Sequence, residues 1–259
     1  MKKGFLNANS EKVIGVINPF GTNLTYYKNP KMAAWWSAAF PGFGHILLGQ
    51  YFKGSLLFIW EIFINIKSHL NTGLVSTLQG HFEQTKSVLD PHWILLYIPI
   101  YLFAVWDCYH TANEINRSIT PLSKLNFPLR TKAFNAVELN LFTERKPAIS
   151  LFWSLLFPGA GQFYLHRLLE SLLFSIWFIV ICYYSHIYEG VLYLLIGDLR
   201  HSNDVLNPAW FMFLPSIFCF SAYNAYSDAI DTNIIYRFNE IQKIKQQYQD
   251  PEFTVSFPK

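Results

Sequence analysis

Long apolar runs alternate along the chain with breaks in which proline and glycine stand close together. The run from Ala33 to Phe52 carries no formal charge, yet Pro41, Gly42 and Gly44 lie in its middle. Proline removes a helix hydrogen bond and each glycine costs a helix about 1 kcal/mol, so this pattern predicts a broken or re-entrant helix. Irregular backbone at membrane depth must find polar partners in protein or water, so we expect close packing around the break.

The same pattern returns 117 residues later, with Pro158, Gly159 and Gly161 in the places of Pro41, Gly42 and Gly44. Roughly thirty of about 95 positions are identical at this offset without a gap, which is typical of a duplicated unit. The sequence therefore predicts five segments: an N-terminal segment (1–22), a first repeat (23–117), a linker (118–139), a second repeat (140–233) and a tail (234–259).

Each repeat is predicted to hold two transmembrane helices after its break. The four apolar stretches cover residues 55–71, 93–109, 172–188 and 210–226. With its polar ends each has about 20 residues, the length that a bilayer core of about 30 Å requires. The segments between them, residues 72–92 and 189–207, are polar and are predicted to be loops. The predicted fold class is thus an all-α membrane protein of two tandem repeats, each a re-entrant or short broken helix followed by two transmembrane helices.

The charge distribution supports this interpretation. Only 14% of the residues are charged, against about 25% in ordinary soluble domains. If the four stretches alone cross the membrane, all lysines and arginines except Lys67, Lys86 and Arg200 fall on the side of the termini. Because positive residues favour the cytoplasmic side, four spans with both termini cytoplasmic in a cell membrane are preferred over six.

The sequence lacks the motifs that would indicate an enzyme or a nucleic-acid-binding protein. It has no glycine-rich phosphate loop, no zinc spacing of histidine or cysteine and no nucleophile elbow. The three cysteines lie in apolar stretches, and the net charge is only +3. We therefore expect no catalytic residues, no cofactor, no metal and no nucleic-acid partner.

Polar residues at membrane depth are costly, and they are the candidates for a functional role. Glu61 lies inside the first predicted span and should face the bundle, either neutral or beside a partner such as Asn65 or His45. The candidate intramembrane cluster consists of Glu61, His45, Asp107, Gln162 and Asn224. A purely structural role in packing is the alternative for each of them.

Comparison of the two repeats predicts two contacts. His45 and Asp107 of the first repeat correspond to Gln162 and Asn224 of the second, so both ionisable groups become amides together. A hydrogen bond between His45 and Asp107, and another between Gln162 and Asn224, would explain the joint change. Two unrelated substitutions at exposed positions would explain it equally well.

The linker and the tail each show a short amphipathic pattern. Residues 131–142 predict a helix on the membrane surface or, equally well, a polar linker helix. In the tail, Ile234, Phe238, Ile241 and Ile244 form one stripe, which predicts that the last span continues into the cytoplasm. That stripe offers a surface for self-packing or for a protein partner.

The glycine motifs resemble those of the TM2 domain and of related bacterial membrane proteins. Residues 159–165, Gly-Ala-Gly-Gln-Phe-Tyr-Leu, are similar to the family's Gly-x-Gly-x-His-Arg-Phe-Tyr-Leu-Gly, and Gly42-Phe-Gly-His45 keeps the glycines. The ends Asp107-Cys-Tyr-His-Thr-Ala and Asn224-Ala-Tyr-Ser-Asp-Ala resemble the Asp-x-Tyr-x-x-Ala close of such proteins. His166 departs from the pattern, because the family has glycine there. The resemblance implies an architecture and no particular activity.

Taken together, the sequence predicts two repeats packed about a pseudo-two-fold axis along the membrane normal. The first functional hypothesis is a non-enzymatic scaffold or regulatory membrane component, with the bilayer and a protein at the cytoplasmic tail as partners. The alternative is a small transporter or ligand-binding bundle with a polar cavity around Glu61, His45 and Asp107. A lipid-modifying enzyme comes third, and the oligomeric state is left open.

Overall fold

Helices form the body of the protein. The computed structural model describes residues 15–18, 21–24, 27–118, 132–134, 139–141 and 143–248. Two pairs of short antiparallel strands precede the two helical halves, β1 (Gly15–Asn18) with β2 (Gly21–Leu24), and β3 (Lys132–Phe134) with β4 (Leu139–Leu141).

The two halves contain helices in the same order. The first half consists of α1 (Pro30–Ala39), α2 (Phe43–Leu47), α3 (Tyr51–Ser68), α4 (Leu70–Leu78), α5 (Phe82–Val88) and α6 (Pro91–Ser118). The second half consists of α7 (Pro147–Leu156), α8 (Ala160–Tyr164), α9 (Leu168–Ser185), α10 (Ile187–Ile196), α11 (Leu199–Val205), α12 (Pro208–Phe211) and α13 (Phe213–Tyr248).

The predicted break at the Pro-Gly motif is confirmed. Helix α1 ends at Ala39 and α2 begins at Phe43, because Gly42 between them has a φ of +104° that side chains rarely adopt. A side chain on Gly42 would also overlap the carbonyl oxygen of Gly54 on α3. Position 44 has no room for a side chain, since a Cβ on Gly44 would overlap the Ala33 carbonyl oxygen on α1. The break therefore brings three helices into backbone contact.

Pro158, Gly159 and Gly161 break the second half in the same way. Gly159 also has a φ of +104°, between α7 and α8. A Cβ on Gly159 would lie 2.6 Å from the Ser171 carbonyl oxygen, and one on Gly161 would overlap that of Ser150.

The prediction of loops at residues 72–92 and 189–207 is wrong. These segments form the helix pairs α4–α5 and α10–α11, with Gly80 and Gly197 at the turns in the left-handed conformation. The helix Ile187–Ile196 is apolar, and the two helices of each pair pack so closely that a Cβ on Gly73 or Gly190 would lie within 3 Å of Leu89 or Leu206. The side chain of Asp198 accepts a hydrogen bond from His201 N at 3.1 Å and so starts α11.

The helix expected in the linker does not form at the described positions. Lys132–Phe134 pair with Leu139–Leu141 as antiparallel strands, and residues 135–138 lie outside the described part. The alternation of apolar and polar residues over so few positions fits a strand as well as a helix, which explains the error. The last helix continues into the tail as far as Tyr248, because α13 runs without interruption for 36 residues, and the cytoplasmic location of the tail stays a prediction.

Two helices are long and apolar enough to cross a membrane, α6 over Pro91–Arg117 and α9 over Leu168–Ser185. A third span results if α11 and the helix from Pro208 onward, which meet at 84°, count as one bent element. Helix α3 is not among them, although it has 18 residues, because it contains Lys53, Glu61 and Lys67. The described residues therefore support a helical membrane protein with two or three candidate spans.

Aromatic side chains join the halves in a common core. Phe43 stacks on Phe220 with ring centroids 4.2 Å apart, and Phe58 packs on Trp177 at 4.7 Å. Such ring pairs add about 1 kcal/mol beyond the area that they bury. The core thus lies between α2 and α3 on one side and α9 and α13 on the other.

Candidate functional site

His45 and Asp107 are in contact, as the comparison of the repeats predicts. His45 is fully buried on α2, and its Nε2 lies 2.8 Å from Oδ2 of Asp107 on α6. A carboxylate only accepts hydrogen bonds, so the proton of the ring is on Nε2. Lys53 at the start of α3 donates to the same carboxylate oxygen. Sequence reasoning missed this third member of the group.

Gln162 and Asn224 do not form the predicted hydrogen bond. The side chain of Gln162 donates to the Ser221 carbonyl oxygen at 2.9 Å, and that of Asn224 donates to Glu170 at 3.1 Å. Glu170 stands 117 residues after Lys53, so a cation in the first half is matched by a carboxylate in the second. The carboxylate of Glu170 needs a hydrogen-bond donor as its partner, and the amide of Asn224 is a donor whereas an ionised aspartate is not. This explains why asparagine stands at 224 where the first half has Asp107. The change from Asp107 to Asn224 is therefore explained by its partner at the start of α3 or α9, which is Lys53 in the first half and Glu170 in the second. It is not explained by the change from His45 to Gln162.

Around Asn224 lies a buried group of charges that we call the ionic network. Arg167, just before α9, contacts both Glu170 at 3.1 Å and Asp228 of α13. Lys28, just before α1, lies 2.7 Å from Asp231 and 3.5 Å from Asp228. The network therefore ties the segment before α1 to the beginning of α9 and to α13.

Further hydrogen bonds extend the ionic network, in which Nε of Arg167 and Oδ1 of Asn224 have no hydrogen-bond partner among the described residues. Tyr51 of α3 donates to Glu170 at 2.7 Å, and Asn224 donates to Asp228 at 3.0 Å. The backbone N–H and C=O of Lys28 bond with the side chain of Asn116, at 3.0 and 2.8 Å. Every helix of the network is thus fixed by more than one polar contact.

The pairing of opposite charges explains why these groups can stay buried together. Two cations face three carboxylates, and each of the five side chains is exposed by 15% or less. Burial lowers the pKa of Lys28, but the carboxylates of Asp228 and Asp231 outweigh it, so the pKa is raised above its ordinary value. The pKa of Arg167 is raised for the same reason, by Asp228 and Glu170 against the effect of burial. Both cations therefore hold their charge across the physiological range.

Apart from Asn224, the residues of the ionic network are the ones that sequence reasoning missed. Asn224, Asp228 and Asp231 follow at spacings of four and three, so they share one face of a helix, and this pattern could have been found. The sequence does not reveal that Lys28 is the partner of Asp228 and Asp231, because about 200 residues separate it from them.

Glu61 is separate from the His45–Asp107 pair. It is 5% exposed on α3, and the polar side chains that act on it are Asn65, one helical turn away, and Tyr97 of α6. Its Oε2 is buried and has no hydrogen-bond partner among the described residues. The predicted five-residue cluster is therefore divided into three places, around Glu61, around Asp107 and around Asn224, with Gln162 held by the backbone of α13.

A cavity of about 600 Å³ opens in the surface of the second half. Neither Glu61 nor the His45–Asp107 pair borders it. Its lining residues come from α7 to α9 and from the segment before α7: Arg145, Trp153, Phe157, Ala160, Phe163, Tyr164, His166, Ser171 and Ser175. Within the described ranges, no group of three or more His, Cys, Asp or Glu side chains is arranged to hold a metal ion.

No protein-family model, no curated protein and no solved structure matches this chain. The resemblance to the TM2 domain therefore stays a prediction that rests on the glycine motifs. The function has to be argued from the geometry.

Proposed function

We propose that the chain is a multi-pass membrane protein that acts as a non-enzymatic scaffold or regulatory component. The observation that carries this proposal is that charges are paired inside the bundle while apolar side chains point outward. On α6, Leu95, Leu102 and Trp106 are each exposed by 60% or more. Soluble proteins rarely expose so continuous an apolar surface, whereas in a bilayer it needs no cover.

The ionic network favours a structural role over transport. Its charged side chains all have partners of opposite sign, and they come from Lys28, Arg167, Glu170, Asp228 and Asp231 in distant parts of the chain. A network of this kind holds helices in fixed positions, and separating any pair leaves a buried charge. The cavity in the second half, which a transporter would need near its polar residues, is bordered by neither Glu61 nor Asp107.

Two repeats with four spans are part of the proposal. His69 and His186 share a φ of 56°, and the Asn116 side chain bonds the Lys28 backbone as Asn233 bonds Arg145. These details recur at the 117-residue offset and support a common ancestry of the halves. Helix α3 would be the fourth span, since Asn65 and Tyr97 lower the cost of burying its Glu61.

A transporter or ligand-binding bundle is the second candidate. Two buried polar atoms, Oε2 of Glu61 and Nδ1 of His45, have no hydrogen-bond partner among the described residues. Buried polar groups nearly always have one, so a water molecule or a ligand at either atom would explain them.

Cysteine labelling tests both the topology and the choice between the two functions. In a variant without Cys108, Cys182 and Cys219, single cysteines would be placed at 61, 80, 197 and 248. We expect an impermeant thiol reagent to label 80 and 197 from outside intact cells, and 248 only after the membrane is opened. Outside labelling of 248 would contradict the four-span topology. Labelling of 61 in the intact membrane would favour the transporter, and its protection would favour the scaffold.

A further inference from the structure

Among the described residues, the aromatic contacts between the two halves run in one direction. Phe43 of the first half packs on Phe220 of the second, and Phe58 on Trp177. A two-fold axis would add the converse contacts, in which the first-half counterpart of Phe220 packs on the second-half counterpart of Phe43. That counterpart, Phe103, is instead 49% exposed. The predicted pseudo-two-fold arrangement is therefore wrong, and each half has one face that its neighbour does not cover.

The uncovered face of the second half surrounds the cavity, and we call it the open face. Its residues Trp153, Phe157, Ala160 and Ser175 stand 117 positions after Trp36, Phe40, Phe43 and Phe58, which form the contact in the first half. Two large rings are thereby replaced by Ala160 and Ser175. The cavity has the place and the lining that a further aromatic side chain would fill.

The uncovered face of the first half lies along α6, and we call it the α6 face. Leu96, Phe103 and Trp106 are exposed by 46%, 49% and 60%, and their spacing puts them on one side of the helix. They stand 117 positions before Phe213, Phe220 and Tyr223, which pack on the first half.

Charge completes the match between the two faces. The contact between the halves includes the ion pair of Lys28 with Asp231 at 2.7 Å. The counterparts of these residues on the uncovered faces are Arg145 and Glu114, so the signs are kept. Glu114 lies on the same side of α6 as Leu96 and its side chain is 63% exposed, while Arg145 borders the cavity.

We propose that a second copy of this chain docks its α6 face on the open face, so that copies associate head to tail. Phe103 enters the cavity beside Ala160, and Glu114 pairs with Arg145 of the neighbour. The inference rests on the two-repeat architecture proposed above. In a membrane such packing and one polar pair drive association, since lipid removes the hydrophobic force between helices. A head-to-tail contact repeats from copy to copy and gives a ring or a chain.

Charge reversal tests the contact in the full-length protein. We expect Arg145→Glu and Glu114→Arg each to weaken association about tenfold, because each sets like charges against each other. The double variant restores the pair and should associate as the native protein does. A mixture of the two single variants should also associate, because each copy then meets a neighbour of opposite sign. The measurement is the size of the protein assembly in mild detergent and in lipid nanodiscs, made for each single variant, for the double variant and for the mixture.

Cross-linking tests the geometry in native membranes. With the three native cysteines removed, a chain with Phe103→Cys and a chain with Ala160→Cys are expected to be joined by a short bifunctional thiol reagent. The matched control is Leu102→Cys, at the same depth on α6, because its counterpart Cys219 is exposed and lies outside the contact between the halves. Two copies that both carry Phe103→Cys should not be joined.

Several results would overturn the inference. The first is a protein that is monomeric in nanodiscs. The second is a yield of cross-linked product between positions 103 and 160 that does not exceed the yield between positions 102 and 160. The third is a cross-linked product between two copies that both carry Phe103→Cys. Extraction of the protein from isolated membranes tests the proposed function separately from the head-to-tail contact. A chain found without membranes contradicts the proposed function, whereas a membrane-embedded monomer contradicts only the head-to-tail contact.

Discussion

Lys28 and Asp231 form an ion pair of 2.7 Å across 203 positions of sequence. The pair is partly enclosed, and it fixes the segment before α1 on the last helix. Its loss would leave three carboxylates of the ionic network with Arg167 as their only cation, which gives the first test of the network.

We expect Lys28→Met to lower the free energy of unfolding by about 3 kcal/mol, the usual cost of removing one partner of a buried pair. Thermal unfolding of the purified protein in one detergent measures the change. Lys31→Met is the matched control, because Lys31 is exposed and lies in the first turn of α1, three residues after Lys28. An equal loss in both variants would refute the role of the ion pair.

The same pair predicts a dependence on alkaline pH. Because the folded-state pKa of Lys28 is raised, its stabilisation is fully present below the unfolded-state pKa of about 10.4 and is lost as the pH rises through the folded-state value. The stability difference between the native protein and Lys28→Met should therefore stay constant from about pH 7 to 10 and shrink above that. A difference that already falls between pH 7 and 9 would show that another group is responsible.

The charge exchange between the halves can be reproduced in the first half. Lys53→Glu sets two carboxylates side by side at Asp107, and we expect it to cost about 1 kcal/mol, since Lys53 is partly exposed. Adding Asp107→Asn recreates the arrangement of Glu170 with Asn224 and should recover most of that loss. Urea unfolding of both single variants and the double variant gives the coupling energy. Simple addition of the two single effects would contradict the proposed correspondence.

Gly44→Ala tests the close approach of α1 and α2. The new Cβ would overlap the Ala33 carbonyl oxygen, and we expect a loss of about 3 kcal/mol. Gly80→Ala is the control, because Gly80 has a positive φ but open space around it, and it should lose only about 1 kcal/mol. If both variants unfold at the same temperature, the steric explanation fails.

Glu61→Gln should keep or raise the stability, because an amide is cheaper to bury than a carboxylate and can still bond Asn65 or Tyr97. Glu61→Lys should prevent accumulation of the folded protein, since a cation there meets no carboxylate partner among the described residues. The yield of monodisperse protein after gel filtration compares the two. A severe loss with Glu61→Gln would instead indicate that the charge itself has a function.

Local chemistry made part of this structure predictable. The helix breaks follow from Pro41 and Gly42, whose backbone requirements act within a few residues. The helices in residues 72–92 were missed because a polar stretch of that length satisfies a loop and a helix pair equally well.

The candidate site was predictable only where the two proposed repeats could be compared. That comparison led to His45 and Asp107 but assigned Asn224 to the wrong partner, because Lys53 and Glu170 were left out of it. Lys28 gives no local signal at all, since its partners are chosen by the packing of the two halves.

The long separation of Lys28 from its carboxylates has a consequence for synthesis. A nascent chain that has just completed α6 already contains the lysine, while Asp228 and Asp231 have not yet been made. The ionic network can therefore close only after the last helix has been synthesised, and the first half expressed alone would keep an ammonium group without its counter-charges.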